Sequence, residues 1–533
     1  MLLIMSGAYL NAEFTAEFGR FPPSFLPVGN RRLYQWQLDL FKDTSDRKVM
    51  SLPADFVVPE TDARILAEAN VEIVRTPEGL RLGEAVVFCL NVCRAYDEPL
   101  RLLHGDTLVY GVDLSVPDAV FVSPTREYYD WAEPRVDETG KVHIHEGLFQ
   151  GSGSRDVLCG FFAFSEPALL IESILKSGNN FVQGLNAYSD IRPLELGRVT
   201  DWLDFGHVQL YYQSKSRMTT QRSFNQLHAT KRAVVKSSDD TGKIAAEANW
   251  YETIPDNLRA YTPAFMGSID TPGDRRGYRI EYLYLSTLSE LFVFGRLPPF
   301  VWSQILSQCD EFLSLAGTHA SPAPVLGAES SSYLTKTMAR LEDFQCMTSS
   351  VHIDAPCTYA GKALPSMRRM VELCAEAIPD AAPADMSVWH GDFCFSNIFY
   401  DFRAHQIRTI DPRGRDFSGK PSIFGDRRYD VAKLAHSIVG RYDFIIAGHS
   451  RLVHGGRNDF NLELPANTYL EAIEDRFYQC EIGGYRMDEP WVMAMTITLF
   501  LSMLPLHADN DVRQMSLLAN GLRLFAQMDG GSF

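Results

Sequence analysis

Short apolar runs alternate with amphipathic stretches over the first two hundred residues of the chain. Runs such as MLLIM, KVMSLP and LRLLH have the length of buried strands, whereas LYQWQLDLF and GEAVVFCLNVC carry apolar residues at helical spacing. This alternation is typical of a layered α/β sheet with parallel strands. The stretch RVDETGKVHIHEGLF, with a turn at Thr139-Gly140, predicts a hairpin that interrupts the alternation.

The pattern changes near residue 215, where GHVQLYYQSKSRMTTQRSFN is polar and basic. Beyond it KRAVVKSS predicts strands, and long segments such as KIAAEANWYETI, VWSQILSQCDEFLSLAG and YDVAKLAHSIVG predict helices. The last hundred residues have an almost wholly helical pattern. We therefore predict an α/β domain over 1–214, a small β-rich lobe over 215–290 and a helical lobe over 291–533.

Composition narrows the class of partner. A chain of 533 residues is too long for one core, and its net charge of −17 argues against nucleic acid or an anionic membrane as the main partner. Nine scattered cysteines without a CxxC pair predict reduced core thiols, and neither a signal peptide nor a spanning apolar run is expected. These features predict a cytoplasmic protein that binds small molecules, with homo-oligomerisation left open.

The stretch HGDFCFSNIFYDFRAHQIRTIDPRG carries the chemistry of the second half. It places Asp392, Asn397 five residues later, and Asp411 after an apolar strand. Phosphoryl transfer needs a carboxylate near the acceptor hydroxyl, oxygen ligands for Mg²⁺ and a cation on the nucleotide phosphates. Carboxylate and amide oxygens are suitable Mg²⁺ ligands, so this spacing predicts convergence on one metal ion.

This stretch resembles the aminoglycoside phosphotransferase and choline kinase superfamily, whose fold is that of a bilobal protein kinase. The resemblance implies ATP as phosphate donor, Asp392 as catalytic base, and Asn397 and Asp411 as Mg²⁺ ligands. RAVVK ends in Lys236, which is similar to the family's nucleotide-binding lysine. Glu247, eleven residues later, is similar to the glutamate that pairs with that lysine.

Further contacts are expected around these residues. The loop SFNQLHAT lacks the glycine-rich motif of protein kinases, but Ser223 could contact phosphate, and the backbone around Glu281 resembles the family's hinge to adenine. The helix of GDRRYDVAKLAHS is expected to anchor the catalytic loop through Asp430. Candidates for lining the acceptor site or holding an anionic substrate are Asp416, Arg413, Arg427 and Arg428.

The first half contains a second motif, PPSFLPVGNRRLYQWQLDL, which resembles sugar-1-phosphate nucleotidyltransferases and cytidylyltransferases with their Rossmann-like, GT-A-type fold. The resemblance implies nucleotide contacts at Gly7, in the loop after the first strand, and at Arg20. It also implies that Asp106 and Asp204 are metal ligands.

Two departures from that pattern concern cations. Ser24 stands where the family has a lysine, and the phosphate loop is reduced to Ser6-Gly7. These cations neutralise the triphosphate in the family, so their loss lowers transition-state stabilisation. Arg20, Arg31 and Arg32 lie close enough in sequence to act instead.

The leading hypothesis is a bifunctional enzyme. Its kinase half phosphorylates an alcohol, amino alcohol or sugar, and its first half couples that phosphate to CTP or another NTP for the synthesis of capsule, surface polysaccharide or a lipid head group. The alternative is a small-molecule kinase with a catalytically inactive nucleotidyltransferase-like binding module, which Ser24 favours.

Two other classes fit less well. A pseudoenzyme scaffold conflicts with the intact Asp392, Asn397, Asp411 and Lys236. A glycosyltransferase first half would require an Asp-x-Asp motif, and HGDTLV offers one Asp only. The acceptor, the NTP and the oligomeric state stay open.

Overall fold

A seven-stranded sheet is the centre of the first of two units, Met1–Met218 and Thr219–Phe533. The computed structural model describes residues 1–147, 153–218, 225–230, 232–271, 275–323 and 330–530. In spatial order the sheet consists of Glu195–Arg198, Ala119–Thr125, Arg155–Phe164, Leu100–His104, Leu2–Met5, Lys48–Pro53 and Val71–Thr76.

Parallel pairing dominates this sheet. Leu2–Met5 pairs in parallel with both of its neighbours, and only Arg155–Phe164 runs antiparallel to the strands beside it. All four residues of Leu2–Met5 are buried, because a central parallel strand is covered on both faces. The predicted α/β class with a Rossmann-like first domain is confirmed.

Helices of the first unit follow the expected periodicity. Leu82–Cys93 buries Val86, Cys89, Leu90 and Cys93, whose spacing places them on one helical face. The other helices are Ala12–Phe18, Leu33–Leu40, Glu60–Glu68, Pro167–Lys176, Phe181–Ile191 and Val208–Arg217. The remaining strands are Pro27–Val28, Arg31–Arg32, Thr107–Tyr110, Glu133–Val136, Val142–His145 and Asp201–Asp204.

The predicted hairpin is confirmed. Glu133–Val136 and Val142–His145 pair antiparallel, and Gly140 in the connecting turn has a φ of +85°. A left-handed φ is accessible to glycine without steric cost, which explains the Thr-Gly turn.

The second unit begins with a four-stranded antiparallel sheet and one helix, as in the small lobe of a kinase. The strand order is Asn225–Ala229, Ala233–Ser238, Arg275–Glu281 and Phe265–Thr271, and the helix is Thr241–Thr253. Asp240 begins this helix by accepting a hydrogen bond from the backbone N–H of Lys243 at 2.8 Å. Pro255 follows its end, where proline ordinarily stops a helix.

The rest of the unit is largely helical. Its helices are Leu288–Phe294, Pro299–Gly317, Ser330–Met347, Met367–Ala377, Arg428–Ile438, Tyr442–Ile446, Thr468–Tyr478, Pro490–Ser502 and Asp511–Asp529. Its strands are Ser286–Thr287, Pro356–Tyr359, Lys362–Ser366, Met386–Val388, Ile398–Asp401, Gln406–Thr409, Phe424–Asp426, Arg451–Gly456, Asp459–Glu463, Glu481–Ile482 and Tyr485–Arg486. The predicted bilobal, protein-kinase-like architecture is confirmed.

The almost wholly helical pattern predicted for the last hundred residues was wrong in two stretches, the shorter of which is the two-residue strand pair Glu481–Ile482 and Tyr485–Arg486. Arg451–Gly456 and Asp459–Glu463 form a hairpin that joins Pro356–Tyr359 and Lys362–Ser366 in a four-stranded sheet. Phe460 and Leu462 are buried and alternate with more exposed residues. This period of two is too short a signal to stand out between helices.

The cysteines and the membrane criterion complete the description. All nine thiols are free; seven are buried, Cys480 is half-buried, and Cys346 is exposed rather than part of the core. Of the helices in the described ranges, none combines the length and the apolar character needed to cross a membrane.

Candidate active sites

A buried ion pair links the strand and the helix of the small lobe. Lys236 on Ala233–Ser238 places its Nζ 2.8 Å from Glu247 Oε2 on Thr241–Thr253, and both side chains are almost fully buried. The Tyr278 hydroxyl donates to the same carboxylate oxygen at 2.9 Å. Burial and the neighbouring Asp411 raise the pKa of Glu247. Burial acts to lower the pKa of Lys236, but Asp411 and Glu247 raise it, so the lysine is a fixed cation.

Asp411, which follows the strand Gln406–Thr409, completes this group. Its Oδ1 lies 3.0 Å from Lys236 Nζ, and its backbone N–H donates to the Tyr251 hydroxyl at 3.2 Å. Asp411 has a φ of +58°, a left-handed conformation that aspartate tolerates better than most residues. The structure thus brings together Lys236 and Glu247, the pair that the family resemblance implied, and places Asp411 beside them. Their roles in nucleotide and metal binding stay predictions.

One buried carboxylate binds the backbone of the loop that leads to Asp392. Asp430, on the helix Arg428–Ile438, accepts the backbone N–H groups of His390 and Gly391, each at 2.7 Å. Burial raises the pKa of Asp430 to about 7, although the two N–H groups act in the opposite direction. His390 is also buried, which lowers its pKa to about 4, and its neutral Nδ1 accepts from the Asp392 N–H at 3.3 Å.

Asp392 sits between an amide and an ammonium group. Asn397 Nδ2 donates to the Asp392 main-chain oxygen at 2.9 Å and to its Oδ2 at 3.1 Å. Lys433 Nζ lies 2.8 Å from Oδ1 of the same carboxylate. Partial burial acts to raise the pKa of Asp392, but Lys433, with smaller effects of His390 and Arg413, holds it below its usual range. The carboxylate is therefore ionised and oriented, as a general base requires.

Asn397 also connects this loop to the metal-ligand candidate. Its main-chain oxygen accepts the N–H of Ile410, the residue before Asp411, at 2.9 Å. Because the Asn397 amide nitrogen is used toward Asp392, its Oδ1 has no hydrogen-bond donor among the described residues.

These oxygens fit Mg²⁺. In the described part of the chain no group of three or more His, Cys, Asp or Glu side chains is arranged to hold a metal ion. A pair of protein oxygens is nevertheless what Mg²⁺ uses at phosphate sites, because water and phosphate oxygens complete its octahedron. Asn397 Oδ1 and the Asp411 carboxylate are the atoms that would hold it.

Lys433 was not predicted from the sequence. It lies three residues after Asp430 on one helix, so both side chains point to the same face. Since Asp430 was expected to anchor the catalytic loop, this spacing was the available signal for a cation beside Asp392.

Three cations surround one buried ring beside the catalytic base. Arg413, Lys336 and Lys433 lie over Tyr429, with Cζ or Nζ 5.7, 5.4 and 5.8 Å from the ring centroid. Arg413 and Lys336 also lie over Phe417, at 5.0 and 5.6 Å. Burial acts to raise the pKa of the Tyr429 hydroxyl, but the three cations lower it to about 8. We call Lys336, Arg413 and Lys433 the Tyr429 cation cluster; sequence analysis identified only Arg413 of these.

Other predicted acceptor-site residues have local structural partners. Asp416 accepts from the Ser418 hydroxyl at 2.7 Å and the Lys420 N–H at 3.0 Å, which closes a turn. Arg427 donates to the main-chain oxygens of Leu313 at 3.3 Å and Gly483 at 2.7 Å. Arg428, similarly, is bound to Asp426 at 2.7 Å. The acceptor roles of Asp416 and Arg427 stay predictions.

The predicted nucleotide contacts at Glu281 and Ser223 stay predictions, as do those of Lys236 and Glu247. The Glu281 N–H donates to the Ala264 oxygen at 2.9 Å, and its carboxylate accepts from Arg408 at 3.2 Å. Glu281 is thus the last residue of an interior strand of the sheet, and contact with adenine stays a prediction for the backbone that follows. Ser223 lies outside the described residues.

Gly414 lets the loop after Asp411 approach the helix Thr241–Thr253 closely. Its φ is +63°, and a Cβ placed on it would lie 2.3 Å from the Ala246 oxygen and 2.7 Å from the Glu247 nitrogen. Any side chain here would press on the helix that carries Glu247. The glycine is therefore a steric requirement of the ion-pair geometry.

The first unit brings Asp106 and Asp204 together. Asp204 lies opposite Thr107 in the antiparallel pair Asp201–Asp204 with Thr107–Tyr110. Burial and the nearby Asp204 charge raise the pKa of Asp106. Asp204 Oδ1 accepts from His207 Nδ1 at 3.0 Å, and this contact raises the pKa of His207 against the effect of burial.

Both carboxylates retain oxygens for a cation. Within the described residues, the Oδ2 atoms of Asp106 and Asp204 accept no hydrogen bond. Their mutual charge and hard oxygen donors fit a divalent ion such as Mg²⁺, which would relieve the repulsion between them.

The expected cations around the triphosphate loop are engaged elsewhere. Ser24 is fully buried; its hydroxyl donates to the Gly105 oxygen and its N–H to the Ser6 hydroxyl, each at 3.0 Å. Arg20 is paired with Asp55 and Glu78, each at 2.9 Å. Arg31 and Arg32 are paired in the same way, Arg31 with Asp39 at 2.7 Å and Arg32 with Asp62 at 3.4 Å.

Gly7 packs too closely for any other residue. A Cβ at this position would lie 2.4 Å from Thr76 Oγ1, which donates to the Gly7 oxygen at 3.0 Å. The position is thus a close backbone approach, as in a phosphate loop, but the described geometry does not test nucleotide contact.

Comparisons with known proteins gave matches at the level of solved structures. No protein-family model and no curated protein matches the chain. A putative glucose-1-phosphate thymidylyltransferase from Bacillus anthracis, in complex with a sucrose, is similar over 43% of this chain and 97% of its own, with 11% identity and a TM-score of 0.34. HddC from Yersinia pseudotuberculosis is similar over 41% of this chain and 99% of its own, with 14% identity and a TM-score of 0.31.

The aminoglycoside phosphotransferase APH(4)-Ia, as a thermostable mutant in ternary complex with AMP-PNP and hygromycin B, is similar over 59% of this chain and 93% of its own. The identity is 12% and the TM-score 0.35. Identities this low and TM-scores below 0.5 leave the function to be argued from the residues of this chain.

Proposed function

We propose that the second unit is an ATP-dependent phosphotransferase that acts on a hydroxyl group of a small molecule. The observation that carries this proposal is the double role of Asn397. Its side chain orients the Asp392 carboxylate, and its main chain bonds the residue before Asp411, whose carboxylate contacts Lys236. A base, two metal-ligand oxygens and a phosphate-binding cation are thereby connected within one hydrogen-bonded group.

Each residue then has a role in phosphoryl transfer. Asp392 accepts the proton as the acceptor oxygen bonds to the γ-phosphorus, and the bond between that phosphorus and the β,γ-bridging oxygen breaks to release ADP. Lys236, fixed by Glu247, binds the donor phosphates. Mg²⁺, when bound by Asn397 and Asp411, neutralises charge on the phosphate oxygens.

Replacement of the base tests the proposal. Asp392→Asn keeps the hydrogen-bonding shape but cannot take a proton, so transfer of labelled γ-phosphate should fall by about a hundredfold or more while ATP still binds. The matched control is Asp354→Asn, an exposed aspartate of the same unit that pairs with Arg368. Full activity of Asp392→Asn beside an unaltered Asp354→Asn would contradict the assignment.

For the first unit we propose nucleotidyl transfer to the product of the kinase reaction, with CTP or another NTP and Mg²⁺. The juxtaposed Asp106 and Asp204 carboxylates support it. The burial of Ser24 and the paired state of Arg20 support the second candidate, a module that binds without catalysis. Pyrophosphate release, measured with each of the four NTPs and the phosphorylated acceptor, distinguishes the two. The bifunctional form would supply activated units for capsule or head-group synthesis in the cytoplasm.

A further inference from the structure

The Tyr429 cation cluster carries more positive charges than are needed to hold the base for phosphate transfer. Lys433 is paired with Asp392, so its charge is used to hold the base. Lys336 and Arg413 stand on other elements, the helix Ser330–Met347 and the loop after Asp411, and both converge on the same aromatic rings. Three cations brought within 6 Å of one ring repel each other unless an anion joins them.

Carboxylates of the described residues do not neutralise Lys336 and Arg413. Within the described ranges neither Lys336 nor Arg413 lies within ion-pair distance of a carboxylate; the nearest counter-group of Lys336 is the Tyr429 hydroxyl. The two carboxylates of the adjacent loop are used locally, Asp416 in its own turn and Asp426 with Arg428. Aromatic rings stabilise the cations but leave their charge unneutralised.

The position of the cluster identifies its ligand. Arg413 lies beside Asp392, because its backbone N–H donates to the main-chain oxygen of His390, two residues before the base, at 2.8 Å. It shares the Tyr429 ring with Lys433, whose Nζ is 2.8 Å from the Asp392 carboxylate. Lys236, by contrast, is bound to Glu247 and Asp411 and serves the donor phosphates. A second group of cations on the base side is therefore placed for the molecule that presents its hydroxyl to Asp392.

We propose that the phosphate acceptor already carries an anionic group, a carboxylate or a phosphate ester, which Lys336 and Arg413 bind while a hydroxyl of the same molecule faces Asp392. This inference rests on the proposed kinase function and specifies its substrate class. Arginine and lysine together suit such a group, because the guanidinium binds two oxygens and the ammonium a third. A cationic amino alcohol is disfavoured by the same charges.

The reaction remains an ordinary transfer. The acceptor hydroxyl oxygen forms a bond to the γ-phosphorus of ATP, its proton passes to Asp392, and ADP leaves with the electrons of the broken P–O bond. The anionic group is unchanged, so the product carries that group and a new phosphate.

The test measures phosphate transfer by the full chain with MgATP to two matched sets of acceptors. One set is glycerol, glycerate, glycerol 3-phosphate and choline; the other is glucose, glucuronate, glucose 6-phosphate and glucosamine. We expect kcat/KM for at least one anionic member to exceed that of its neutral counterpart by about tenfold or more. The carboxylate and phosphate arms distinguish the two sources of the anion.

Variants connect the preference to the cluster. Lys336→Met should raise the KM for the anionic acceptor about tenfold and leave the KM for ATP within about twofold, and Arg413→Gln should act in the same direction. Lys362→Met is the matched control, because Lys362 pairs with Asp529 at the surface of the same unit. Equal effects of Lys336→Met on both KM values would overturn the assignment of the cluster to the acceptor.

The outcomes distinguish a failure of the inferred acceptor class from a failure of the proposed kinase function. Transfer to neutral or cationic members alone, or MgATP binding without transfer to any anionic member, overturns the acceptor class and leaves the donor site in place. Absence of MgATP binding overturns the proposed kinase function itself. Transfer to an anionic member that Lys336→Met weakens supports both.

Discussion

Lys433 approaches the catalytic carboxylate from a helix rather than from the catalytic loop. In the loop, Cys394 occupies the second position after Asp392, and its thiol, whose pKa burial raises to about 12, supplies no charge there. The ammonium group beside the base comes instead from Arg428–Ile438, the helix that also anchors the loop through Asp430. Orientation and charge of the base therefore depend on one helix face.

Lys433→Met should lower kcat for transfer by about ten- to a hundredfold and change the KM for ATP little. A carboxylate with a lowered pKa stays ionised, and active as a base, to lower pH. Without the ammonium the pKa of Asp392 rises, so activity should be lost at a higher pH as the solution is acidified. The pH–rate profiles of the wild type, Lys433→Met and Lys433→Arg measure this, and an acid limb that coincides in all three would contradict it.

The residue scale also shows what the sequence could predict. Lys236, Glu247 and Asp411 were named because their motifs resemble those of a known family, and the structure places Lys236 2.8 Å from Glu247 and 3.0 Å from Asp411. Their roles stay predictions. Lys336 was missed, because its partners lie on other elements and no local pattern distinguishes it from a surface lysine. Lys433 was missed although its spacing of three residues from Asp430 was a local signal. Proximity of side chains far apart in sequence is a property of the packing.

At the scale of elements, Thr241–Thr253 is the part of the small lobe that contacts both Lys236 and the segment before Asp392. Its N-terminus is capped by Asp240, it presents Glu247 to Lys236, and the Trp250 indole N–H donates to the Trp389 oxygen at 2.8 Å. Trp389 directly precedes His390, so this helix contacts the residue between the strand Met386–Val388 and the loop that carries Asp392. Displacement of the helix would disturb both the donor cation and the base.

Glu247→Gln should lower the free energy of unfolding by about 3 kcal/mol, because it leaves a buried lysine with one partner fewer. It should also raise the KM for ATP about tenfold, since Lys236 loses the group that fixes it. Urea unfolding and ATP titration measure the two effects. Glu252→Gln, an exposed change near the end of the same helix, is the control. Indistinguishable behaviour of the two variants would show that the buried pair is dispensable.

Helices and strands were predictable where the spacing of apolar residues extended over enough positions. The helix Leu82–Cys93 and the strand Leu2–Met5 follow from apolar spacing and length. The hairpin over Arg451–Gly456 and Asp459–Glu463 did not, because its two short strands lie among helices and their pairing with Pro356–Tyr359 spans about a hundred residues.

At the scale of the whole molecule, each candidate site is built from residues of a single unit. Asp106 and Asp204 belong to Met1–Met218, and Lys236 through Lys433 belong to Thr219–Phe533. Among the described residues, the hydrogen bonds and ion pairs given above for each site join residues of its own unit. The two chemistries are therefore expected to be lost independently.

Asp106→Asn should abolish pyrophosphate release, because it removes one of two carboxylates available to the metal, and should leave acceptor phosphorylation within about twofold of wild type. Asp392→Asn should do the reverse when phosphorylated acceptor is supplied. Both activities are measured on the same preparations. Asp113→Asn, an exposed residue that bonds Ser115 in the loop after Thr107–Tyr110, is the control for the first unit. Pyrophosphate release that survives in Asp106→Asn would exclude that residue as a metal ligand.

Gly414 makes the second unit sensitive to a substitution outside the residues that are proposed to act in phosphoryl transfer. A single base change converts a glycine codon to an alanine codon, and the added methyl group has no room against Ala246 and Glu247. Such an allele would retain every side chain of the motif, from His390 to Asp411, and still lose the helix position on which Glu247 depends. The proposed kinase activity could therefore be lost while every residue of the sequence motif is retained. In a related sequence, an intact motif from His390 to Asp411 would then not be enough to infer the activity. The residue that corresponds to Gly414 would have to be a glycine as well.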